Sequence, residues 1–425
     1  MSGYVETRSE VPGQSLEDMA GRSTGTSPTA TSYALVPLIV LCLVYILYAW
    51  DRMAIPVELV EISRAYGLQP VTAATLSSIF TLGISLFVLP AGLVVSYLGI
   101  PTCFVGSIIL FSLATGYTAI GISAPDLLVA RCVTGLGEAV FSVCLLSFLS
   151  SLSERRKGMF IGLSTTIYGL SGIVGAPLIG AVQHGFGDWR AIFYLLGGGG
   201  LVFGVILKFA LRQMTFVALN QSTATVRGRF ACAMSGQMPR LYAIIAISGM
   251  GTYSVITMLV NFERTYNSLS LARAAMLFSF FSIGSILGGA PLGLVADIVG
   301  QKRVIVASAF TKMIAGTLLF MLPFHAISTT FLAIIFGIGV GGIYVNACAI
   351  IQRHVAAFAA PTATGILLCI YYGTASVSGP VFQQVMKHLG VGMGPIVFYG
   401  VPYAIAGCIA LTLALPLPLP SRKAS

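Results

Sequence analysis

Read from its N-terminus, the chain alternates long apolar runs with short breaks of Pro, Gly and charge. Runs such as Leu38 to Tyr48 and Ala191 to Leu207 are apolar on every side. They show neither the one-sided stripe of a surface helix nor the alternation of a barrel strand. About 20 apolar residues wound as a helix span the roughly 30 Å core of a bilayer, and a helix satisfies its own backbone there. The breaks predict twelve such helices, at 33–52, 71–96, 101–122, 126–150, 158–184, 190–211, 240–261, 271–297, 302–323, 329–352, 362–386 and 394–418. A polar, basic connection divides them. The expected organisation is a tail at 1–32, a six-helix bundle at 33–211, a central loop at 212–239, a second six-helix bundle at 240–418 and a tail at 419–425.

Composition agrees with an all-α membrane protein. Of 425 residues, 56% are hydrophobic and 8% charged, and the mean hydropathy is +0.93; soluble domains carry about 25% charge. The net charge of +10 does not point to nucleic acid, because Lys and Arg gather in connections and tails rather than on one soluble face. They concentrate in the tails and after helices 4, 6, 8 and 10, among them Arg155, Arg156, Lys157, Arg212, Arg227, Arg229, Lys302 and Arg303. By the positive-inside rule both termini are expected on the cytoplasmic side. The N-terminal tail carries Glu6, Glu10, Glu17 and Asp18, the wrong composition for a cleaved signal peptide, and is expected to be disordered. The eight cysteines stand singly in apolar segments and the four histidines (His184, His325, His354, His388) stand near helix ends. No ligand spacing emerges, so neither disulfide, metal nor cofactor is expected. No nucleophile–base set suggests an enzyme.

The two halves repeat. LPAGLVVSYLG at 89–99 aligns with APLGLVADIVG at 290–300, an offset of 201 residues that superposes Pro90 on Pro291, Gly92 on Gly293 and Gly99 on Gly300. Gly175-Ala176-Pro177 likewise matches Ser378-Gly379-Pro380. Duplicated membrane bundles place a substrate site at the midplane and rock their halves around it.

Several motifs carry a resemblance. Gly293-Leu-Val-Ala-Asp297-Ile-Val-Gly300-Gln-Lys302-Arg303 resembles the cytoplasmic gating motif of the major facilitator superfamily, Arg131-Cys-Val-Thr-Gly135-Leu-Gly137-Glu138-Ala139 its helix 4 motif, and the spacing from Gly169 to Gly180 its helix 5 motif. The likeness spans 33–418 and implies the twelve-helix major facilitator fold, with Asp297, Lys302 and Arg303 in gating and Asp297 pairing with basic residues of neighbouring helices. Tyr48-Ala-Trp-Asp51-Arg52 and Glu138 after Arg131 are similar to the anion:cation symporters, which take up organic acids with protons. That resemblance implies proton coupling at Asp51 and Glu138. The first-half gating copy departs from the pattern: it has Ser96 in place of Asp297, and Ile100, Pro101 and Thr102 in place of Gln301, Lys302 and Arg303.

Charges inside these helices need a reason, since each costs about 2.5–3.5 kcal/mol at the bilayer centre. Arg131 and Glu138 lie seven residues apart on nearly one face of helix 4, about 10 Å along its axis. They are expected to pair with each other or with cargo. Asp51 and Arg52 are expected toward the outer end of helix 1. Arg52 and Arg131 are candidates to bind a substrate's carboxylate, with Tyr48, Tyr168, Asn346 and Tyr372 as further lining residues. Tyr344, Tyr371 and Gln383 are weaker candidates. Glu263-Arg264 reads as a solvated helix end, and Lys312, in mid-helix, has no assigned role. The expectation is a monomeric, proton-coupled symporter of a small organic anion (a monocarboxylate, sugar acid or aromatic acid) in a bacterial inner membrane. A proton-driven exporter and a transporter-like receptor are the alternatives.

Overall fold

The computed structural model describes residues 35–152, 157–211, 226–356 and 359–414. The expected tails 1–32 and 419–425, Arg155, Arg156 and the central loop from Arg212 to residue 225 lie outside the described residues. The first half runs α1 (Leu35–Tyr66), α2 (Pro70–Ser78), α3 (Phe80–Leu98), α4 (Ile100–Ile120), α5 (Ala124–Leu152), α6 (Lys157–Phe186) and α7 (Arg190–Leu211). A short α8 (Val226–Ala233) occupies part of the central connection. The second half runs α9 (Met238–Thr265), α10 (Leu271–Gly288), α11 (Ala290–Val299), α12 (Gln301–Met321), α13 (Ala326–His354), α14 (Ala360–Ser376), α15 (Ser378–Pro395), a π-helical turn (Ile396–Gly400) and α16 (Val401–Leu411).

Among the described residues ten stretches are long and apolar enough to cross a membrane. One of them, Ala360–Leu411, is 52 residues long and breaks at Gly390, whose φ of 66° and ψ of −179° interrupt the helix; it supplies two spans. Adding the 30-residue α6 brings the ten stretches to the twelve spans expected. Proline opens α2, α4, α9, α11, α14 and α16, where its missing N–H is one of the donors a helix start leaves unpaired anyway. Large apolar residues such as Val129, Val202, Ile298 and Phe331 stand exposed on the outside, the inverse of a soluble surface and the natural face toward lipid.

Three of the expected spans differ in the structure. Helix 1 does not end at Arg52; it continues through Pro56 to Tyr66, because its charges are neutralised by another helix and do not mark a water interface. The second and eighth spans are each broken, at Ile79 between α2 and α3 and at Gly289 between α10 and α11.

Within the first half α4 packs on α5 and α7, α3 on α5, and α1 on α6 and α7; in the second, α10 and α12 pack on α13, α12 on α16, and α9 on α14 and α16. Across the halves α3 meets α14, α6 meets α10, α1 meets α9 and α2 meets α15. The internal repeat is geometric as well as textual. Gly99 and Gly300 both adopt positive φ, 83° and 95°, a conformation open to glycine and strained for other residues, and each ends one helix and starts the next.

Helix pairs also approach backbone to backbone at repeated glycines. A Cβ on Gly135 would fall 1.9 Å from the Phe80 carbonyl oxygen, and one on Gly337 would fall 2.2 Å from that of Phe281. Small residues permit this contact in a bilayer, where packing replaces the hydrophobic drive. Gly135→Ala must therefore push α3 from α5 and is expected to cost about 1–3 kcal/mol, seen as a lowered Tm in detergent. Gly92→Ala, with nothing within 4 Å of the new methyl, leaves Tm unchanged or raises it.

Candidate functional site

Asp51 and Arg52 sit at the middle of α1, not toward its end, and both are buried. Consecutive helical residues point about 100° apart, so the two side chains reach different levels of α5. Arg52 donates from Nε to Glu138 Oε2 at 2.8 Å. Arg131 grips Asp51 with Nη1 at 3.1 Å from Oδ1 and 3.0 Å from Oδ2, and donates from Nη2 to the Asp51 carbonyl at 3.3 Å. The ion pairs thus cross between helices. The expected Arg131–Glu138 pairing within helix 4 is corrected: seven residues of rise separate those groups, while α1 offers each an opposite charge at its own level. Thr115 of α4 adds a bond to Asp51 Oδ1 at 2.8 Å.

Arg52 is also where the halves meet. Its Nη1 donates to Tyr253 of α9 at 3.3 Å and to Tyr372 of α14 at 3.2 Å, and its Nη2 donates to Tyr48. Rings of Tyr48, Tyr372, Phe80 and Tyr168 surround the guanidinium carbon at 4.3, 5.4, 5.7 and 5.9 Å. Each contact uses the attraction of a cation for a ring face. Tyr48 in turn bonds Ser142 at 3.0 Å. Two atoms in this cluster have no hydrogen-bond partner: Glu138 Oε1 and Arg131 Nε.

The structure therefore brings Tyr48, Asp51, Arg52, Arg131, Glu138, Tyr168 and Tyr372 into one cluster. Asn346 is buried but donates to Gly342 on its own helix at 2.8 Å, and no bond joins it to Arg52. Tyr371 and Tyr344 are reached through rings, Tyr253 to Tyr371 at 5.7 Å and Tyr371 to Tyr344 at 5.2 Å. Sequence reading missed Tyr253, Thr115, Phe80 and Ser142. Tyr253 had a signal: it lies 201 residues after Arg52, the offset of the repeat.

Asp297 pairs with Arg353 of α13 at 2.7 Å, half-exposed. Arg303 caps the Val299 carbonyl at 3.3 Å, so neither it nor Lys302 is the partner of Asp297. The expected solvated end at Glu263-Arg264 is overturned. Glu263 is buried, accepting from Asn267 at 2.8 Å. Arg264 clasps Glu61 through two 2.7 Å bonds, tying α9 to α1 because the ends of those helices pack against each other. Glu58, one turn before Glu61, is fully buried, and neither of its carboxyl oxygens has a partner.

Removing one member of a buried pair strands the other, at about 3–5 kcal/mol. Asp51→Asn is expected to lower Tm sharply by leaving Arg131 unneutralised, and adding Arg131→Gln to recover much of the loss. Thermal unfolding of the two single variants and the double variant measures that coupling.

Comparison with known proteins supplies the family. The profile described as the Major Facilitator Superfamily matches residues 41–233 and 241–425. The chain is 27% identical to the 3-(3-hydroxy-phenyl)propionate transporter of Escherichia coli (strain K12), over 48% of this chain and 51% of that one. It is 24% identical to a putative tartrate transporter of Agrobacterium vitis, over 42% of this chain and 41% of that one. It therefore spans about half the length of these curated relatives or less. A crystal structure of a bacterial homolog to the human lysosomal transporter Spinster superposes with a TM-score of 0.69 at 16% identity, covering 90% of this chain and 95% of that chain, a likeness of fold. The match across both halves, on a duplicated bundle of twelve spans, places the chain in the Major Facilitator Superfamily of transporters.

Proposed function

We propose that this transporter carries a small organic anion together with protons by alternating access, with Arg52 as the cargo's anchor and Asp51 and Glu138 as the proton-bearing groups. The observation that carries the reading is the position of Arg52, held by a carboxylate of one half and by hydroxyls from both. A cation at that depth cannot be left bare. Exchanging the Glu138 carboxylate for a cargo carboxylate preserves its neutralisation, whereas a neutral or cationic cargo offers no such exchange. The planar fork of an arginine suits a carboxylate.

The displaced Glu138 then holds an unneutralised charge in a low-dielectric site, and taking a proton removes it. Its Oε1, unpartnered in this state, is the atom at which a proton adds without breaking the bond at Oε2. Arg131 and Asp51 form a second such exchange unit on the same two helices. Rocking follows because Tyr253 and Tyr372 belong to the second half: cargo on Arg52 competes with their hydroxyls and loosens one tie between the bundles. The likeness to anion:cation symporters and the relatives named for organic acids support this reading.

Purified protein in liposomes enclosing a pH-sensitive dye tests it. Adding 3-(3-hydroxyphenyl)propionate or tartrate is expected to acidify the interior in a saturable way. In Glu138→Gln that flux falls about a hundredfold or more, the scale of a lost proton-transfer group, while exchange of labelled for unlabelled cargo persists. Undiminished flux in the variant, or no flux with any organic acid, contradicts the proposal.

A further inference from the structure

Lys312 lies at the middle of α12 with none of its surface exposed. Its Nζ donates to Thr252 Oγ1 at 2.7 Å and to Ser248 Oγ at 3.1 Å, both on α9. It stands over the rings of Tyr403 and Phe336, 4.7 and 5.1 Å from their centroids. Among the described residues no carboxylate pairs with it, in contrast to Arg52 and Arg131. The titratable group it stands over is the phenol of Tyr403, whose hydroxyl donates to the Ser248 carbonyl at 3.4 Å; Tyr399 of the π-helical turn, which also packs on α12, bonds Ser254 at 2.7 Å. The charged residues on the helices around it stand in their end turns: Arg240, Glu263 and Arg264 on α9, Asp297 on α11, Arg353 and His354 on α13, and Lys387 and His388 before the break in α15.

The internal repeat shows that packing does not require a lysine here. Phe111 occupies the corresponding position of α4, 201 residues earlier. It packs on Gly137 of α5 as Lys312 packs on Gly339 of α13, where an added Cβ would meet the lysine stem. One half fills the slot with a ring, the other with an amine. Ring faces attract the ammonium form, and a hydroxyl can accept from an ammonium or donate to an amine lone pair. Ser248 and Thr252 therefore accommodate both forms of the side chain.

We propose that Lys312 Nζ is a proton-binding site of the second half, distinct from Asp51 and Glu138. Loading forms one N–H bond with a proton from the aqueous phase while a neighbouring hydroxyl turns from donor to acceptor; unloading reverses both. The site is wired to the cargo's anchor through α9, since Thr252 meets Lys312 on one side and the next residue, Tyr253, meets Arg52 on the other. That coupling role rests on the proposed function, whereas proton binding does not.

Thermal unfolding of purified protein between about pH 5 and 9 decides the proton site. The gap in stability between wild type and Lys312→Met is expected to vary with pH, by up to about tenfold in the unfolding equilibrium constant per pH unit while the amine titrates. The gap between Lys312→Arg and Lys312→Met stays flat, because a guanidinium keeps its proton; if the Met variant does not fold, wild type against Arg gives the same readout. A pH-independent gap between wild type and its variants overturns the proposal. In liposomes, Lys312→Met is expected to carry one proton fewer per cargo than wild type. An unchanged count with a pH-dependent gap removes the coupling role and keeps the site. Absence of proton flux in wild type defeats the proposed function, and the stability titration still decides Lys312.

Discussion

A charge at mid-membrane is costly unless something neutralises it, and the crossed pairs Arg52–Glu138 and Arg131–Asp51 are the constraint around which the first half is arranged. They allow α1 to continue as one helix through residues that would otherwise end it. They set α1 opposite α5 at two levels, and they hold Arg52 where hydroxyls of α9 and α14 can reach it. A buried pair adds little net stability compared with apolar packing. Under the proposed function its value is that it can be exchanged: a carboxylate arriving from outside the protein would take the place of one within it.

The duplicated scaffold is symmetric in its backbone and asymmetric in its chemistry. Gly99 and Gly300 turn alike, and Gly135 and Gly337 allow the same close helix crossing. At the position of Arg52 the second half has Tyr253, and at the position of Phe111 it has Lys312. At mid-membrane the first half thus concentrates paired charge, while the second contributes hydroxyls, rings and the Lys312 amine, its own Asp297–Arg353 pair lying half-exposed. At mid-membrane the two crossed pairs lie within the first half, and the second reaches across to it through the hydroxyls of Tyr253 and Tyr372, beside serine-to-carbonyl bonds at Ser77, Ser78, Ser85 and Ser279. Among the described residues the ion pair that joins the halves is the Glu61–Arg264 clasp, at the far ends of α1 and α9.

Most of the fold was legible because apolar length, proline and glycine are local signals. Arg131 and Glu138 announced themselves as charges in an apolar run, and the repeat offset was visible in Pro90/Pro291 and Gly99/Gly300. Pairing was less legible. Helical spacing states which residues share a face, but not which helix lies opposite, so Arg131 and Glu138 read as partners when each was matched to α1. The same gap made Glu263-Arg264 look solvated and stopped helix 1 at Arg52: a charge marks a water boundary only if no other helix neutralises it. Asn346 shows the converse, a polar residue in a promising place whose amide is spent on its own backbone.

If cargo and Glu138 compete for one guanidinium, as proposed, binding of cargo draws a proton with it. Calorimetric titration of 3-(3-hydroxyphenyl)propionate or tartrate into purified protein, in buffers of differing ionisation enthalpy, counts the protons that accompany binding. Net proton uptake is expected in wild type, as the displaced carboxylate is neutralised, and its loss in Glu138→Gln with binding retained. Equal proton counts in wild type and variant would contradict that competition.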